Sequence, residues 1–283
     1  LPLPPYQIHR MTRNQLATVI GWAAREGWNP GLHDLDPFHK VDPEGLFMGW
    51  LGERPVASIA CLRYGNNHGF IGLYIVEPSL RRLGLGRALW SAALDHVEGC
   101  VVGLDGVAAQ QDNYRLGGFE LAWYNTRYQG RGREAVVQDR RVVSLSSLPF
   151  EQLAAYDDAF HPVPRPAFLQ AWIEMPQSHA LGWWENGALR GYGVVRACVE
   201  GYKLAPLCAD TPAIAEALFE ALCARVPSEQ AVFIDAPGCN PQANELARRQ
   251  GMEATVSTAR MYRGPAPQLA MSRLYGVTTL EVG

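Results

Sequence analysis

The sequence predicts an α/β (α+β) protein with two tandem domains, residues 1–145 and 146–283, each with a mixed, mostly antiparallel central sheet flanked by helices. One observation is the length, because 283 residues are more than one core usually holds. Another is an order of strands and helices that occurs twice along the chain. A composition of 48% hydrophobic and 19% charged residues is normal for a globular protein and excludes disordered, collagen-like and coiled-coil chains.

The first half begins with an amphipathic helix over 13–28, followed by strands over 46–51 and 55–63 that a Gly-Glu-Arg turn joins. The apolar run FIGLYIV at 70–76 has the length of a buried central strand. The remaining predicted elements are a helix over 84–96, a strand over 101–104, a helix over 108–116, a strand over 119–128 and a strand over 134–143 paired with it.

The second half repeats this order. The turn after Trp50 is matched by one after Trp184, 134 residues later, and Asp105 at a strand end is matched by Asp235, 130 residues later. A common offset over several elements indicates an internal repeat. We therefore expect two copies of one fold, divided in the small polar stretch 144–148.

Charge and composition exclude several partners. The 25 Lys and Arg against 28 Asp and Glu leave a net charge of −3, so we expect no nucleic acid or anionic membrane as partner. No apolar run reaches the about 20 residues of a membrane span, and the N-terminal residues lack the pattern of a signal peptide. The six cysteines are scattered without a C-x-x-C pair. We expect a soluble, cytoplasmic protein with no metal.

The segment 76–87 carries the clearest chemical signal. A buried strand runs into a turn and then a glycine-bearing loop that opens an amphipathic helix, where backbone N–H groups attract anions. Gly84 and Gly86 let a phosphate approach the main chain without a Cβ in the way. The arginines that add positive charge are Arg81, Arg82 and Arg87. This loop predicts a phosphate or pyrophosphate site.

Three ligand classes compete for the loop. A P-loop is excluded, because no Lys-Ser/Thr follows the glycines. A nicotinamide site is supported by Asp105, 19 residues after Gly86, but Leu89 stands where a third small residue is needed, and the preceding elements form no βαβ unit. The third class is coenzyme A.

At this point the sequence resembles the GNAT superfamily of acyl-CoA-dependent N-acetyltransferases. The pyrophosphate signature of that family, Gln/Arg-x-x-Gly-x-Gly/Ala, is matched by Arg81-x-x-Gly84-x-Gly86 after a central strand. A second family landmark is a helix that carries Tyr and ends in Gly-Phe, and Tyr114 followed by Gly118-Phe119 reproduces it. The two landmarks stand in the family's order.

The resemblance covers residues 6–143 and extends more weakly over the second half, as in a bacterial two-domain subgroup with a degenerate second domain. Where the phosphate loop should recur, the chain has Asp210-Thr211-Pro212, a good helix N-cap with an acidic residue that competes with phosphate. We therefore predict that the second half does not bind coenzyme A and instead completes the acceptor cleft.

The resemblance implies transfer of an acetyl group from acetyl-CoA to a primary amine of a small molecule, peptide or amino-acid derivative. The amine attacks the thioester directly, and Tyr114 protonates the leaving thiolate; packing beneath the cofactor is the alternative role for Tyr114. The residues implied to bind acetyl-CoA are Tyr74, Ile75, Val76, Arg81, Arg82, Leu83, Gly84, Leu85, Gly86, Arg87, Ala88 and Asn113.

Candidates on the acceptor side are Glu26, Trp28 and Asn29, in the segment that usually covers the acceptor, and His68 at the start of the central strand. An exposed turn is the preferred interpretation for His68. Asp34 is a further candidate base, but an ordered water can serve instead. The alternative function is an acetyl-CoA-binding sensor without chemistry, and a monomer and a homodimer are both compatible with the sequence.

Overall fold

One continuous sheet of 13 strands runs through the molecule. The computed structural model describes residues 4–133 and 139–283. The strands are β1 (Tyr6–Arg10), β2 (Leu46–Leu51), β3 (Arg54–Tyr64), β4 (His68–Val76), β5 (Val101–Val107), β6 (Glu120–Arg131), β7 (Val142–Ser144), β8 (Ser178–Glu185), β9 (Ala188–Ala197), β10 (Tyr202–Ala209), β11 (Ala231–Pro237), β12 (Glu253–Arg263) and β13 (Leu274–Gly276).

Eight α-helices of the described chain flank this sheet. They are α1 (Arg13–Arg25), α2 (Leu35–Val41), α3 (Leu85–His96), α4 (Gln111–Leu116), α5 (Phe150–Asp157), α6 (Pro166–Ile173), α7 (Pro212–Cys223) and α8 (Pro241–Arg249). The predicted class, a mixed and mostly antiparallel α/β fold with two tandem domains, is confirmed.

The two halves exchange strands where they meet. The strand order is β1-β2-β3-β4-β5-β12-β6-β11-β10-β9-β8-β7, with β13 paired to β10. Strand β12 of the second half lies between β5 and β6 of the first, while β6 pairs with β11 of the second half. The boundary at residues 145 and 146 stays a prediction, and the sheet joins both halves across it.

One predicted hairpin is wrong in the part that the structure describes. Residues 142 and 143 belong to β7, which pairs with β8. The edges of β6 pair with β11 and β12 instead. Residues 134–138 of the predicted strand lie outside the described residues. The local turn pattern at Gly130 and Gly132 could not show that the neighbouring positions are filled by distant strands.

Strands β4 and β5 separate halfway along their length. They pair in parallel only from His68 to Ile71, opposite Val101 to Leu104. At the point of separation Leu73 has a positive φ of 49°, and the buried Ser58 hydroxyl on β3 donates a 2.8 Å hydrogen bond to its carbonyl. The rest of β4 therefore has one edge without a β5 partner, and this edge faces the cavity described below.

Two buried ion pairs fasten the exchanged strands. Asp105 on β5 accepts hydrogen bonds of 2.9 and 2.6 Å from Arg260 on the facing β12. Asp235 on β11 accepts bonds of 2.7 and 2.8 Å from Arg127 on the facing β6. All four side chains are at most 8% exposed. The two aspartates that mark the sequence repeat thus each bind an arginine of the other half.

Replacing Arg260 with Met should lower the free energy of unfolding by about 3–5 kcal/mol, because the Asp105 carboxylate stays buried without its counter-charge. Adding Asp105→Asn should restore part of the loss. Chemical denaturation measures both. The matched control is Arg263→Met, an exposed arginine of the same strand. A loss no larger than that of the control would contradict the stabilising role of the pair.

His68 is buried, and its predicted place in an exposed turn is wrong. It is 4% exposed at the start of β4, with its ring centroid 5.6 Å from that of His161 and 6.1 Å from that of Tyr64. Burial, together with the nearby Arg260, lowers the pKa of His68 to about 4. Burial and Arg165 lower the pKa of His161 as well. Both imidazoles are therefore neutral in the folded protein.

We predict that the protein loses stability between pH 6.5 and 4. In that range the unfolded chain takes up protons on these histidines that the folded chain does not, so the free energy of unfolding falls as the pH falls. The share of His68 is about 3 kcal/mol. Denaturation at a series of pH values should show a shallower pH dependence in His68→Gln, whereas the exposed control His9→Gln should match the wild type.

Candidate active site

A cavity of about 990 Å³ opens where β4 and β5 separate, and both halves of the chain line it. The first half contributes the end of α1, the free edge of β4, the phosphate loop, β5, α4 with the turn before it, and Arg127 on β6. The second half contributes residues of the exchanged strand β12 and of the segment after β13. The lining residues of the second half are Val256, Thr258, Leu280 and Glu281.

The phosphate loop has the geometry that its glycines predicted. Gly84 precedes α3 with a φ of 84°, and Arg82 also has a positive φ, of 67°. A Cβ at Gly86 would lie 2.5 Å from the Tyr74 hydroxyl, so only glycine lets the helix approach β4 this closely. The first amide groups of α3 thus stand at the cavity wall with the positive end of the helix dipole, where they can bind a pyrophosphate.

Arg81 connects the loop to the acceptor side of the cavity. Its Nε donates a 2.9 Å hydrogen bond to the Val76 carbonyl at the end of β4. Its guanidinium also forms an ion pair with Glu26, which follows α1. Both side chains line the cavity and are partly exposed, so the ion pair contributes little stability and a phosphate can compete for the arginine.

Tyr114 stands on α4 with its ring held by other aromatic side chains. It stacks on Trp90 at 5.6 Å between centroids and contacts Phe119 edge-on at 6.3 Å. A Cβ at Gly106 would lie 2.9 Å from the ring, so this glycine makes room for it. Burial, with a smaller effect of Tyr74, raises the pKa of Tyr114 to about 12. The phenol therefore keeps its proton at neutral pH and can donate it.

Most predicted site residues meet at this one cavity. Those that line it are Glu26, Trp28, Tyr74, Ile75, Val76, Arg81, Arg82, Gly84, Gly86, Arg87, Asn113 and Tyr114. The lining does not include Leu83, Leu85, Ala88, Asn29 or His68. Leu85 is buried against Leu51 and Val56, whereas Leu83 and Ala88 point to solvent, so these three can serve coenzyme A only through their main chain.

Asn29 and Asp34 hold the two halves together. The Asn29 amide exchanges hydrogen bonds of 2.9 and 2.8 Å with the main chain of Glu200. Asp34, with only 1% of its surface exposed, binds Arg196 at 2.6 and 2.9 Å. Burial alone would raise the pKa of Asp34, but the Arg196 guanidinium holds it below its ordinary value. An ionised, fully engaged carboxylate does not serve as a base, so Asp34 is a structural residue.

The sequence analysis missed the cavity residues that come from other parts of the chain. Arg127 lines the cavity from β6 and donates a 2.9 Å hydrogen bond to the Trp28 carbonyl, which holds the acceptor-side segment in place. Thr258 and Glu281 arrive from the second half. The sequence did contain one signal for these residues, the matching of Asp105 with Asp235. Each of these aspartates binds an arginine on β12 or β6, the strands along which the two halves meet.

The second half has no comparable loop at the equivalent position. Thr211 caps α7 by accepting a hydrogen bond from the Ile214 amide, as predicted. Asp210 accepts hydrogen bonds from the Tyr156 hydroxyl at 2.9 Å and from Arg273 at 2.6 Å. An engaged carboxylate thus occupies the helix N-terminus, where the first half offers free amides to a phosphate.

Comparison with protein families places both halves in one class. Residues 13–119 match the acetyltransferase (GNAT) family and residues 153–276 match an acetyltransferase (GNAT) domain. The chain belongs to the GNAT acetyltransferase family and carries two of its domains in tandem. It is therefore a GNAT acyltransferase, of a class that takes its acyl group from acyl-CoA.

Among individual relatives, Holothin acyltransferase of Pseudoalteromonas sp. (strain SANK 73390) is 31% identical over 265 residues, which are 94% of this chain and 90% of that protein. An acetyltransferase structure from Pyrococcus horikoshii superposes with a TM-score of 0.84 at 21% identity, over 100% of this chain and 98% of that one. A tandem GNAT protein from the clavulanic acid biosynthesis pathway gives 0.63 at 15% identity, over 93% and 100%. Both structures show the fold alone.

The described chain has neither a metal-binding cluster nor a membrane-spanning helix. In residues 4–133 and 139–283, no three or more His, Cys, Asp and Glu side chains are grouped so as to hold a metal ion. No helix in these ranges is long and apolar enough to cross a membrane.

Replacing Gly84 with Asp should weaken coenzyme A binding by about 100-fold or more, because a carboxylate would face the pyrophosphate and charge-assisted hydrogen bonds would be lost. Titration calorimetry measures the affinity. Gly99→Asp is a matched control, since Gly99 has a similar φ of 79° and, like Gly84, an open Cβ position, but lies outside the cavity. Equal affinities for the two variants would refute the assignment of the loop.

Proposed function

We propose that the protein transfers an acetyl group from acetyl-CoA to the primary amine of a small molecule, peptide or amino-acid derivative. The observation that supports this most directly is the meeting of three features in one cavity. These are the phosphate loop around Gly84, the free edge of β4 beyond Ile71, and the phenol of Tyr114. Each corresponds to one part of the reaction: binding the pyrophosphate, positioning the thioester and protonating the thiolate.

The free edge of β4 suits the thioester. Its main-chain groups from Leu73 onward have no partner on β5, so they can bind the pantetheine arm as an added strand would. When the amine attacks the carbonyl carbon, negative charge develops on the oxygen. A main-chain N–H of this edge, fixed before the reaction begins, can stabilise that charge.

Tyr114 suits the leaving group. When the carbon–sulfur bond breaks, the thiolate of coenzyme A needs a proton, and a phenol with a pKa near 12 holds one throughout the neutral range. The ring is fixed by Trp90 and Phe119, so its hydroxyl has a defined position in the cavity.

The size of the cavity and the comparison with a relative favour a small-molecule acceptor. The cavity is bordered on the acceptor side by the apolar side chains of Trp28, Val256 and Leu280. Apolar walls with a few placed polar groups are typical of small-ligand sites. Since the similar protein from Pseudoalteromonas is named for holothin, holothin belongs in any panel of test amines.

Replacing Tyr114 with Phe should lower kcat by tenfold or more while the affinity for acetyl-CoA is retained, because the ring packing stays and only the proton donor is lost. Release of free coenzyme A, measured with a panel of amines, gives the rate. In the wild type kcat should show no decline due to Tyr114 up to about pH 10, given the pKa of about 12.

Tyr124→Phe, at an exposed tyrosine outside the cavity, is the control and should turn over normally. Unchanged turnover in Tyr114→Phe would exclude the phenol as the acid. Tight acetyl-CoA binding by the wild type, with no release on any amine, would favour the sensor function instead.

A further inference from the structure

The reaction needs a group that takes a proton from the acceptor amine, and the described chain offers three carboxylates at the cavity: Glu26, Asp105 and Glu281. An amine is an ammonium ion at neutral pH and cannot attack a thioester until it loses a proton. The identity of the group that accepts this proton goes beyond the donor site, and the inference rests on the proposed function.

Two of these carboxylates are already engaged. Asp105 binds Arg260 through one oxygen and accepts a 2.8 Å hydrogen bond from Asn125 through the other. Glu26 forms an ion pair with Arg81 on the side of the phosphate loop. Asp105 is therefore not available to a substrate ammonium without giving up its partners, and Glu26 shares its charge with an arginine of the phosphate loop.

Glu281 differs in its surroundings. It is 6% exposed, and the Thr279 hydroxyl donates a hydrogen bond to its Oε2. Within the described residues no hydrogen bond reaches Oε1, and the residue lines the cavity. The main-chain amide of Glu281 also donates a 2.9 Å hydrogen bond to the Thr279 hydroxyl oxygen. The Thr279 hydroxyl thus bonds both the main chain and the side chain of Glu281.

The position of Glu281 along β4 fits the reaction. Its main chain packs on Gly72 so closely that no Cβ would fit there. Gly72 lies directly before Leu73, the positive-φ residue at which β4 and β5 separate. The second half therefore places Glu281 beside the free edge where the thioester is expected to lie, and the residue also lines the cavity.

We propose that Glu281 is the base that accepts a proton from the acceptor ammonium. The ammonium loses one proton to Glu281, which passes it to solvent. The nitrogen then bonds to the thioester carbon, the carbon–sulfur bond breaks, and Tyr114 protonates the thiolate. The second proton of the attacking nitrogen returns to the Tyr114 phenolate through water, so that amide and free coenzyme A result.

Other charged groups near Glu281 are already paired. Arg127 on β6 and Arg196 on β9 interact with it electrostatically, and they are held by Asp235 and Asp34. The remaining titratable groups at the cavity are Glu26, Asp105, Tyr74, Tyr114, Arg81, Arg82 and Arg87, of which the arginines stay charged throughout this pH range. A pH effect that disappears with Glu281 alone is therefore assignable to it.

In Glu281→Gln we expect kcat/KM for the amine at pH 7 to fall about 100-fold, with acetyl-CoA affinity unchanged by calorimetry. The deficit should shrink steadily toward pH 10, because the amine then loses its proton without help. Glu253→Gln, at an exposed glutamate of the second half, should behave as wild type.

The outcomes separate this proposal from the proposed function. Wild-type turnover with an unchanged Glu281→Gln would overturn the role of Glu281 alone. A deficit that is the same at every pH, with weakened acetyl-CoA binding, would show a structural role and also overturn it. No turnover by the wild type on any amine would refute the acetyltransferase function and the base together.

Discussion

The arginine–aspartate exchange across the centre of the sheet is the interaction on which the rest of the structure depends. Each half donates one arginine, from β6 or β12, to an aspartate of the other half, and both pairs are buried and joined by two hydrogen bonds. A buried charge without its partner is strongly destabilising. If β6 or β12 left the sheet, an aspartate of the other half would therefore remain buried without its arginine. The two pairs fix the register of β5 with β12 and of β6 with β11.

This exchange places the active site between the halves. Because β12 lies beside β5, its Thr258 reaches the cavity, and the segment after β13 brings Glu281 against Gly72. The second half has no such loop before α7, but it supplies one wall of the cavity. This contribution follows from the position of the exchanged strand β12 in the sheet.

Sequence reasoning succeeded where the signal is local. The glycines of the phosphate loop, the helix cap at Thr211 and most strands were predictable because each depends on a few adjacent residues. It failed for His68, which follows two asparagines and looked like a turn residue but is covered by His161 and Tyr64 from other elements. It also failed for the end of the strand over 134–143, because residues 142 and 143 pair with β8. The edges of β6 pair with β11 and β12, which lie 100 or more residues later in the chain.

By itself, the sequence determined the fold of each copy, the glycine-bearing loop that opens α3 and the helix that carries Tyr114, since backbone geometry and helix polarity are encoded in short segments. It also contained the repeat of Asp105 and Asp235. Only the tertiary structure decided that these aspartates bind arginines of the opposite halves. It also decided that Asp34 is buried in an ion pair with Arg196 and that Glu281 lines the cavity. The reason is that pairing between strands and burial of charge depend on residues distant in the chain, whose meeting no local pattern records.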